Sequence, residues 1–549
     1  MRRRKRRRGQ VILIALALVV VAGVAWAVVR LVLPRGAAAP RTGFVPTGSS
    51  PGQDAEQITT AFVQAWTSGN LGQAARYTDH PARAQSALTG YRAYLHLRKM
   101  TATVNSATTA AGATPRETVG YTISATVAST DSARALRGTW KYQASLVAYQ
   151  QKNSSLWYIA WAPDVLAPNL TPGTHLAAVV VAPKILSVGD ASGNALTSYH
   201  DAGLTNISNL LGSGAPPGHG SQGLDVEIQT AKGKLVANSQ AVIIAPNNIS
   251  SLNTTISPPA EAAARTAVGM HKGSAMVAIQ PSTGKVLAIA NNAGFDDFAL
   301  TAAVAPGSTG KIISSTALFT EGLLNANSPD QCPLTYTVQG VTFHNDQGES
   351  EPSSATVTTD FAQSCNNAFD RWWSYVSNGR LAAAAKKYYG LDEPWNIGIG
   401  NLSATYYNTP ASASGSELAE EMFGEGQITA SPLGMASVAA TVDAGTFRQP
   451  YLVDGTKQLT ATPLPAGVDA GLKQMMRAVI TSGTGAGLGF GQDVYGKTGT
   501  ADIVGQQQPN SWFVAFDPVK DVAVACLVVN AGYGAQYAAP EVSSFLNSY

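Results

Sequence analysis

Nineteen consecutive residues, Val11 to Val29 (VILIALALVVVAGVAWAVV), carry no charge. As a helix rising 1.5 Å per residue, this run nearly spans a hydrocarbon core of about 30 Å. Leu31-Val32-Leu33 extend it beyond Arg30. Immediately before it stands RRRKRRR, Arg2 to Arg8, and positive charge beside an apolar span marks the cytoplasmic side. The reading is a cytoplasmic basic tail (1–10), a transmembrane anchor (11–33) and an extracellular remainder. A cleaved signal peptide is the rival, because Ala25-Trp26-Ala27 has the small-x-small form of a cleavage site. The apolar core of such peptides runs about 7 to 15 residues, and here it continues past that site.

The anchor changes how the charge is read. The formal net charge is +3, and setting aside the seven positive charges of Arg2 to Arg8 leaves −4 for the rest. No long basic run remains there, which excludes a nucleic-acid partner. A chain of 549 residues with 45% hydrophobic and 13% charged residues builds cores, and several of them. The three cysteines, Cys332, Cys365 and Cys526, cannot all pair with one another. One disulfide plus a thiol, or three thiols, are both open. No CxxC or Cys/His cluster implies a metal, and no cofactor motif is present.

Residues 34–52 are rich in Pro, Gly and Ser and read as a flexible tether. Residues 53–168 read as an α+β module: DAEQITTAFVQAWTSGNLGQAARYT has helical spacing with Asp54 at its start, and TVGYTISATVAS, TWKYQASLVAYQ and LWYIAWAPDVL read as strands. Residues 169–250 mix strand-like runs with a glycine-rich loop carrying His219, which is read as solvent-exposed. No chemistry attaches to that stretch. From 251 onward an alanine-rich helix, capped by Ser257 with two prolines in its first turn, leads into SAMVAI and KVLAIAN, joined by QPSTGK as a hairpin turn.

The tetrapeptide S-T-G-K occurs twice, at Ser282 to Lys285 and at Ser308 to Lys311. In the first copy Lys285 begins a strand, so nothing holds it beside Ser282. The second is followed by KIISSTALFTEGLL, a buried helix starting near the serine, where positions i and i+3 share a face. Its N-terminus also offers free N–H groups and partial positive charge. Ser308 is therefore the candidate nucleophile and Lys311 its partner. Two further motifs follow in order: Ser364-Cys365-Asn366, and Lys497-Thr498-Gly499-Thr500. SxxK, a Ser-x-Asn and KTG form the catalytic set of serine acyltransferases that react with β-lactams. Ser-x-Asn alone is weak, since Ser68/Asn70, Ser192/Asn194 and Ser251/Asn253 also fit, whereas K-T-G-T occurs once. Gly491 to Thr498 also fits the phosphate-loop pattern, but glycines, a proline and a strand follow it where such a loop must open a helix.

These motifs, with TTISPPAEAAA, SAMVAIQPSTGKVLAIAN, GEGQITASPLGMASVAATVDAGTFRQPYLV and SWFVAFDPVKDVAVACLVVN, resemble class B penicillin-binding proteins over about residues 250 to 549. LWYIAWAPDVLAPNLTPG is similar to the end of the NTF2-like N-terminal domain of the low-affinity, methicillin-resistance type. The resemblance implies a multidomain α+β protein: an NTF2-like module (53–168), a linker of dimerisation type (169–250), and a penicillin-binding, serine β-lactamase-like transpeptidase domain (251–549). It implies D,D-transpeptidation of peptidoglycan stem peptides through acyl-Ser308, with β-lactams as inhibitors. Lys311 would be the base, Ser364 a proton relay and Lys497 a positive charge. Asn366 would hold the substrate amide, and Thr498, Gly499 and Thr500 would line the carboxylate site. With no glycosyltransferase domain apparent, the implied partner is a polytopic membrane glycosyltransferase. The same motifs serve a D,D-carboxypeptidase or β-lactamase, and a non-catalytic wall scaffold is a further alternative. Gly310 departs from the family, which has a bulky residue inside SxxK; a glycine inside a helix costs about 1 kcal/mol.

Overall fold

The computed structural model describes residues 42–109, 115–213, 220–294, 298–376, 379–399, 407–410 and 415–549. The basic tail, the expected anchor, residues 34–41 of the tether and His219 lie outside them. Among the described residues no helix is long and apolar enough to cross a membrane. The chain divides into two compact units, one reaching Val181 and including Gly223–Ala245, the other made of Ala182–Gln222 and Pro246–Tyr549. Residues 169–250 are thus shared between them. Strand Gly223–Thr230 pairs with Thr174–Val181 in the first unit, while Leu204, Ile207 and Leu211 of helix Ala202–Gly212 join the core of the second.

In the first unit, helix Pro51–Thr67 begins three residues before the expected Asp54. Ser50 caps it by accepting from the Gln53 N–H at 3.4 Å, and Pro51, which has no N–H to satisfy, takes the first position. Asp54 sits in the first turn instead and accepts from the Gly48 N–H at 2.9 Å. The helix buries Ile58, Phe62 and Trp66 in one core with Val119, Tyr121, Ile123, Ala125 and Val127 of strand Arg116–Ala128. Burying each large side chain of this kind contributes about 1.5–3 kcal/mol. The antiparallel sheet runs Lys99–Thr109, Arg116–Ala128, Arg137–Gln150, Trp157–Ile159. Its first strand, KMTATVNSATT, has too few apolar residues to announce itself, and its pairing is interrupted by a bulge between Val104 and Ala107. Of the two tryptophans in the LWYIAWAPDVL stretch, Trp157 is core and Trp161 is only partly covered.

The second unit is built on a five-stranded antiparallel sheet in the order Val286–Asn291, Ser274–Ile279, Val522–Val528, Asn510–Asp517, Tyr495–Ala501. Every residue of strands 510–517 and 522–528 is buried, so both faces are covered. Helices Pro258–Val268 and Ala538–Ser548 pack on one side. The other carries Pro432–Ala444, whose run PLGMASVAATV is buried at every position, as expected of a helix apolar all round. Strand Tyr495–Ala501 ends the sheet, leaving one edge unpaired with other strands. The expected hairpin forms, with Ala275↔Asn291 through Ala278↔Ala288 in register and a shift before Ile279↔Val286. Ser257 does precede its helix but makes no side-chain cap.

Candidate active site

Pro306 leads into a single 3₁₀ turn, Gly307–Gly310, which continues as the buried helix Lys311–Thr320. The helix expected to start near the serine thus has its α-helical part starting at the lysine, with the serine in the 3₁₀ turn before it. A 3₁₀ turn eclipses positions i and i+3, and Lys311 Nζ donates to Ser308 Oγ at 2.7 Å. The glycine at 310 has a reason. A Cβ there would lie 2.9 Å from the Gly424 Cα, so the turn admits close approach of the Gly424-Glu425-Gly426 loop. The other S-T-G-K copy behaves as a turn: Ser282 is exposed and its hydroxyl donates to Asp521, while Lys285 bridges to Tyr451.

The Ser-x-Asn motif lies between short helices Val357–Ala362 and Asn367–Asp370. Ser364 has φ of 66°, a conformation costing about 1–3 kcal/mol for a non-glycine residue. Several contacts hold it there. Its N–H donates to the Phe361 carbonyl at 3.2 Å, the Cys365 N–H to that of Asp360 at 2.9 Å, and Cys365 is joined to Cys332 by a disulfide. That bond decides a pairing the sequence left open; Cys526 is a buried thiol. Lys311 Nζ also donates to the Ser364 carbonyl at 2.8 Å and to Asn366 Oδ1 at 2.6 Å, and Ser308 Oγ lies 3.4 Å from the same amide oxygen.

The third motif lies on the edge strand. Lys497 Nζ donates to Ser364 Oγ at 2.8 Å and to the Thr498 carbonyl at 3.1 Å. A strand here disposes of the phosphate-loop pattern, since Lys497 and Thr498 open no helix. Thr498 Oγ1 shares a 2.7 Å hydrogen bond with Thr484 Oγ1, and Thr500 Oγ1 accepts from the Gly534 N–H at 3.3 Å. Gly499 must be glycine: a Cβ would fall 2.8 Å from the Pro306 carbonyl and 2.9 Å from Trp512 Cβ. Trp512 Nε1 in turn donates to the Ala305 carbonyl at 2.9 Å, tying the nucleophile turn to the sheet. All eight residues singled out from the sequence thus lie in, or on the strand bordering, one hydrogen-bonded cluster. The sequence did not single out Thr484, Asn345 or Asp346, because isolated polar residues in loops carry no spacing signal.

Both lysines are fully buried, and among the described residues neither forms an ion pair. Burial disfavours the ammonium and pushes Lys311 down to about 8, partly opposed by the carboxylates of Asp346, Glu349, Glu425 and Asp370. Lys497 is held well below the usual lysine range, first by burial and then by the charge of Lys311. Desolvated cations without counter-ions are costly, and such groups cluster where proton transfer is needed. Chemically, the cluster offers a hydroxyl against a lysine able to be neutral, and a second hydroxyl against a second lysine.

Two family models match the chain: the penicillin binding protein transpeptidase domain over residues 274–547, and the NTF2-like N-terminal transpeptidase domain over residues 54–174. The peptidoglycan D,D-transpeptidase PbpA of Mycolicibacterium smegmatis is 28% identical over 335 residues, covering 51% of this chain and 67% of that protein. PbpA of Mycobacterium tuberculosis is 27% identical over the same shares. Among solved structures, a chain from a peptidoglycan synthase complex coordinating polymerization and crosslinking matches with a TM-score of 0.50 at 18% identity. That match covers 76% of this chain and 77% of the other, and it speaks for the fold alone.

Proposed function

The chain belongs to the penicillin-binding protein transpeptidases that carry an NTF2-like N-terminal domain, and from that premise we propose that it cross-links peptidoglycan stem peptides through an ester on Ser308. The observation that carries the reading is Lys311 Nζ, wholly buried and 2.7 Å from Ser308 Oγ. A neutral Lys311 takes the hydroxyl proton as Ser308 Oγ bonds to the carbonyl carbon of the penultimate D-alanine. The oxyanion is received by the backbone N–H groups of Ser308 and Thr500. As the C–N bond breaks, the terminal D-alanine amine leaves with a proton passed from Lys497 through Ser364. The amine of a neighbouring stem then attacks the ester, loses its proton to the same lysine–serine pair, and Ser308 is released protonated. Asn366 holds the donor's amide, and Thr498 and Thr500 its carboxylate beside Lys497.

The apolar run behind the basic tail supports an N-terminal membrane anchor with the catalytic unit outside the cell. Glycan strands for the cross-link would come from a membrane glycosyltransferase partner. The test is product analysis with a stem peptide ending in D-Ala-D-Ala and an amine acceptor. Cross-linked dimer with release of D-alanine is the expected product, and trimmed monomer alone would identify a carboxypeptidase. The base also sets a pH signature. Since only neutral Lys311 accepts a proton, the second-order rate of labelling by fluorescent penicillin should rise about tenfold per unit below its midpoint. The midpoint is expected at about 8, with a plateau above. A flat profile from about pH 6 to 9 would remove Lys311 as the base.

A further inference from the structure

We propose that Asp346 is a positioning residue for the Ser308 reaction: its carboxylate fixes which way round the Asn366 amide sits, keeping the amide oxygen on Lys311. The inference rests on the acyl-serine reading above. Asn366 Nδ2 donates to Asp346 Oδ1 at 2.8 Å. An ionised carboxylate only accepts, so the amide nitrogen has to face it. The amide oxygen is then turned toward the reaction centre, 2.6 Å from Lys311 Nζ and 3.4 Å from Ser308 Oγ.

Orientation matters because of what the lysine must do. A neutral amine has one lone pair, and catalysis needs that pair aimed at the Ser308 hydroxyl. An amide turned the other way would present N–H groups to Lys311, donate to the lone pair and compete with Ser308 for it. With the oxygen inward, Asn366 instead accepts one of the lysine's own N–H bonds and leaves the pair free. Asp346 makes the inward oxygen the only arrangement in which both ends of the amide are satisfied.

The neighbouring residue secures the same asparagine by its backbone. Asn345 Oδ1 accepts from the N–H groups of Asn366 at 2.9 Å and Asn367 at 3.0 Å. Its Nδ2 donates to the carbonyls of Pro333 at 2.9 Å and Glu349 at 2.7 Å, closing the loop that carries Asp346. Tyr533, from the segment after strand Val522–Val528, donates to the Asp346 carbonyl at 3.4 Å. The loop 345–349 thus pins the side chain and the main chain of Asn366 together.

Charge has to be separated from orientation, because Lys311 also feels Glu349, Glu425, Asp370, Asp360 and Lys497. Glu349→Gln is the control. It removes a charge acting on Lys311 from the same loop, while its side chain, among the described residues, accepts only from the Gln347 N–H and leaves Asn366 alone. Labelling rates by fluorescent penicillin are compared for the full-length chain, Asp346→Asn and Glu349→Gln. The comparison is made at about pH 9, above the midpoint, where lysine protonation no longer limits the rate. Asp346→Asn should be slower by about ten- to a hundredfold, the scale of a misplaced catalytic group, and Glu349→Gln within about twofold of wild type. Equal rates for Asp346→Asn and wild type, or an equal loss in both variants, would overturn the proposal. A second readout does not depend on acylation: hydrogen exchange of the Asn366 side-chain amide, followed by NMR of asparagine-labelled chain. Protection should fall in Asp346→Asn and persist in Glu349→Gln; protection unchanged by Asp346→Asn would overturn the role. Should wild type resist penicillin, the acyl-serine reading is what fails, and the exchange measurement then decides only whether Asp346 orients the Asn366 amide.

Discussion

Ser308→Ala is expected to abolish covalent labelling by fluorescent penicillin, while Ser282→Ala labels at the wild-type rate. The two serines sit in the same tetrapeptide, so local sequence cannot account for a difference between them. What differs is the surroundings. Ser308 occupies a buried turn with Lys311 Nζ at 2.7 Å, whereas Ser282 is exposed in a hairpin turn and donates to Asp521. Removing a nucleophile that acts as one unit with its base costs about 10⁴-fold or more. Lys311→Met should therefore fall nearly as far, and Ser308→Ala/Lys311→Met no further than Ser308→Ala alone. The measurement is gel fluorescence against time at several penicillin concentrations, on folded chain. Undiminished labelling of Ser308→Ala would place the acyl group on another residue and remove the mechanism derived above.

The motifs were legible because each combines a residue type with a spacing that only one kind of element satisfies. Ser308 and Lys311 need a helical repeat, and KIISSTALF supplies apolar residues at that repeat. Thr498 and Thr500 alternate as a strand requires, and the neighbouring strand, which sets Phe513 and Ser511 opposite them, is buried throughout. What brings the three motifs together was not legible, because it depends on pairs distant in the chain: Lys497 with Ser364, and Trp512 with the Ala305 carbonyl. The start of the first helix was misplaced for a simpler reason. Asp54 and Ser50 are both good capping residues, and only Pro51 distinguishes them. Strand Lys99–Thr109 went unmarked because threonine, alanine and asparagine lack the alternation that identifies a half-buried strand. The glycines of the nucleophile turn were seen as a liability at Gly310, when the approach of another loop requires them.

Those glycines carry the second large effect. Gly307 has φ of 54°, and a Cβ on it would lie 2.1 Å from the Thr500 carbonyl oxygen and 2.6 Å from its carbon. Gly424 has φ of 90°, and a Cβ there would lie 1.9 Å from the Gly307 oxygen, although the Gly307 N–H donates to the Gly424 carbonyl at 2.9 Å. The obstacles are backbone atoms of a paired strand and of a hydrogen-bonded turn, so no side chain can swing aside. Gly307→Ala must separate Ser308 from Thr500, the two residues whose N–H groups are proposed to receive the oxyanion. A displacement on the order of 1 Å at a reacting group costs about a hundredfold, and the labelling rate of Gly307→Ala and Gly424→Ala should fall at least that far. Gly467→Ala is the counterpart: it lies in helix Ala466–Thr481, has no atom within 4 Å of its Cβ position, and has no positive φ. It should label normally and melt no lower than wild type, since alanine favours a helix by about 1 kcal/mol over glycine. Rates are taken per folded molecule, with circular dichroism fixing that fraction, so that lost stability is not counted as lost chemistry. Wild-type labelling by folded Gly307→Ala would mean that the Thr500 strand can move away from Ser308 without consequence. The oxyanion would then have to be held by groups other than these two N–H donors.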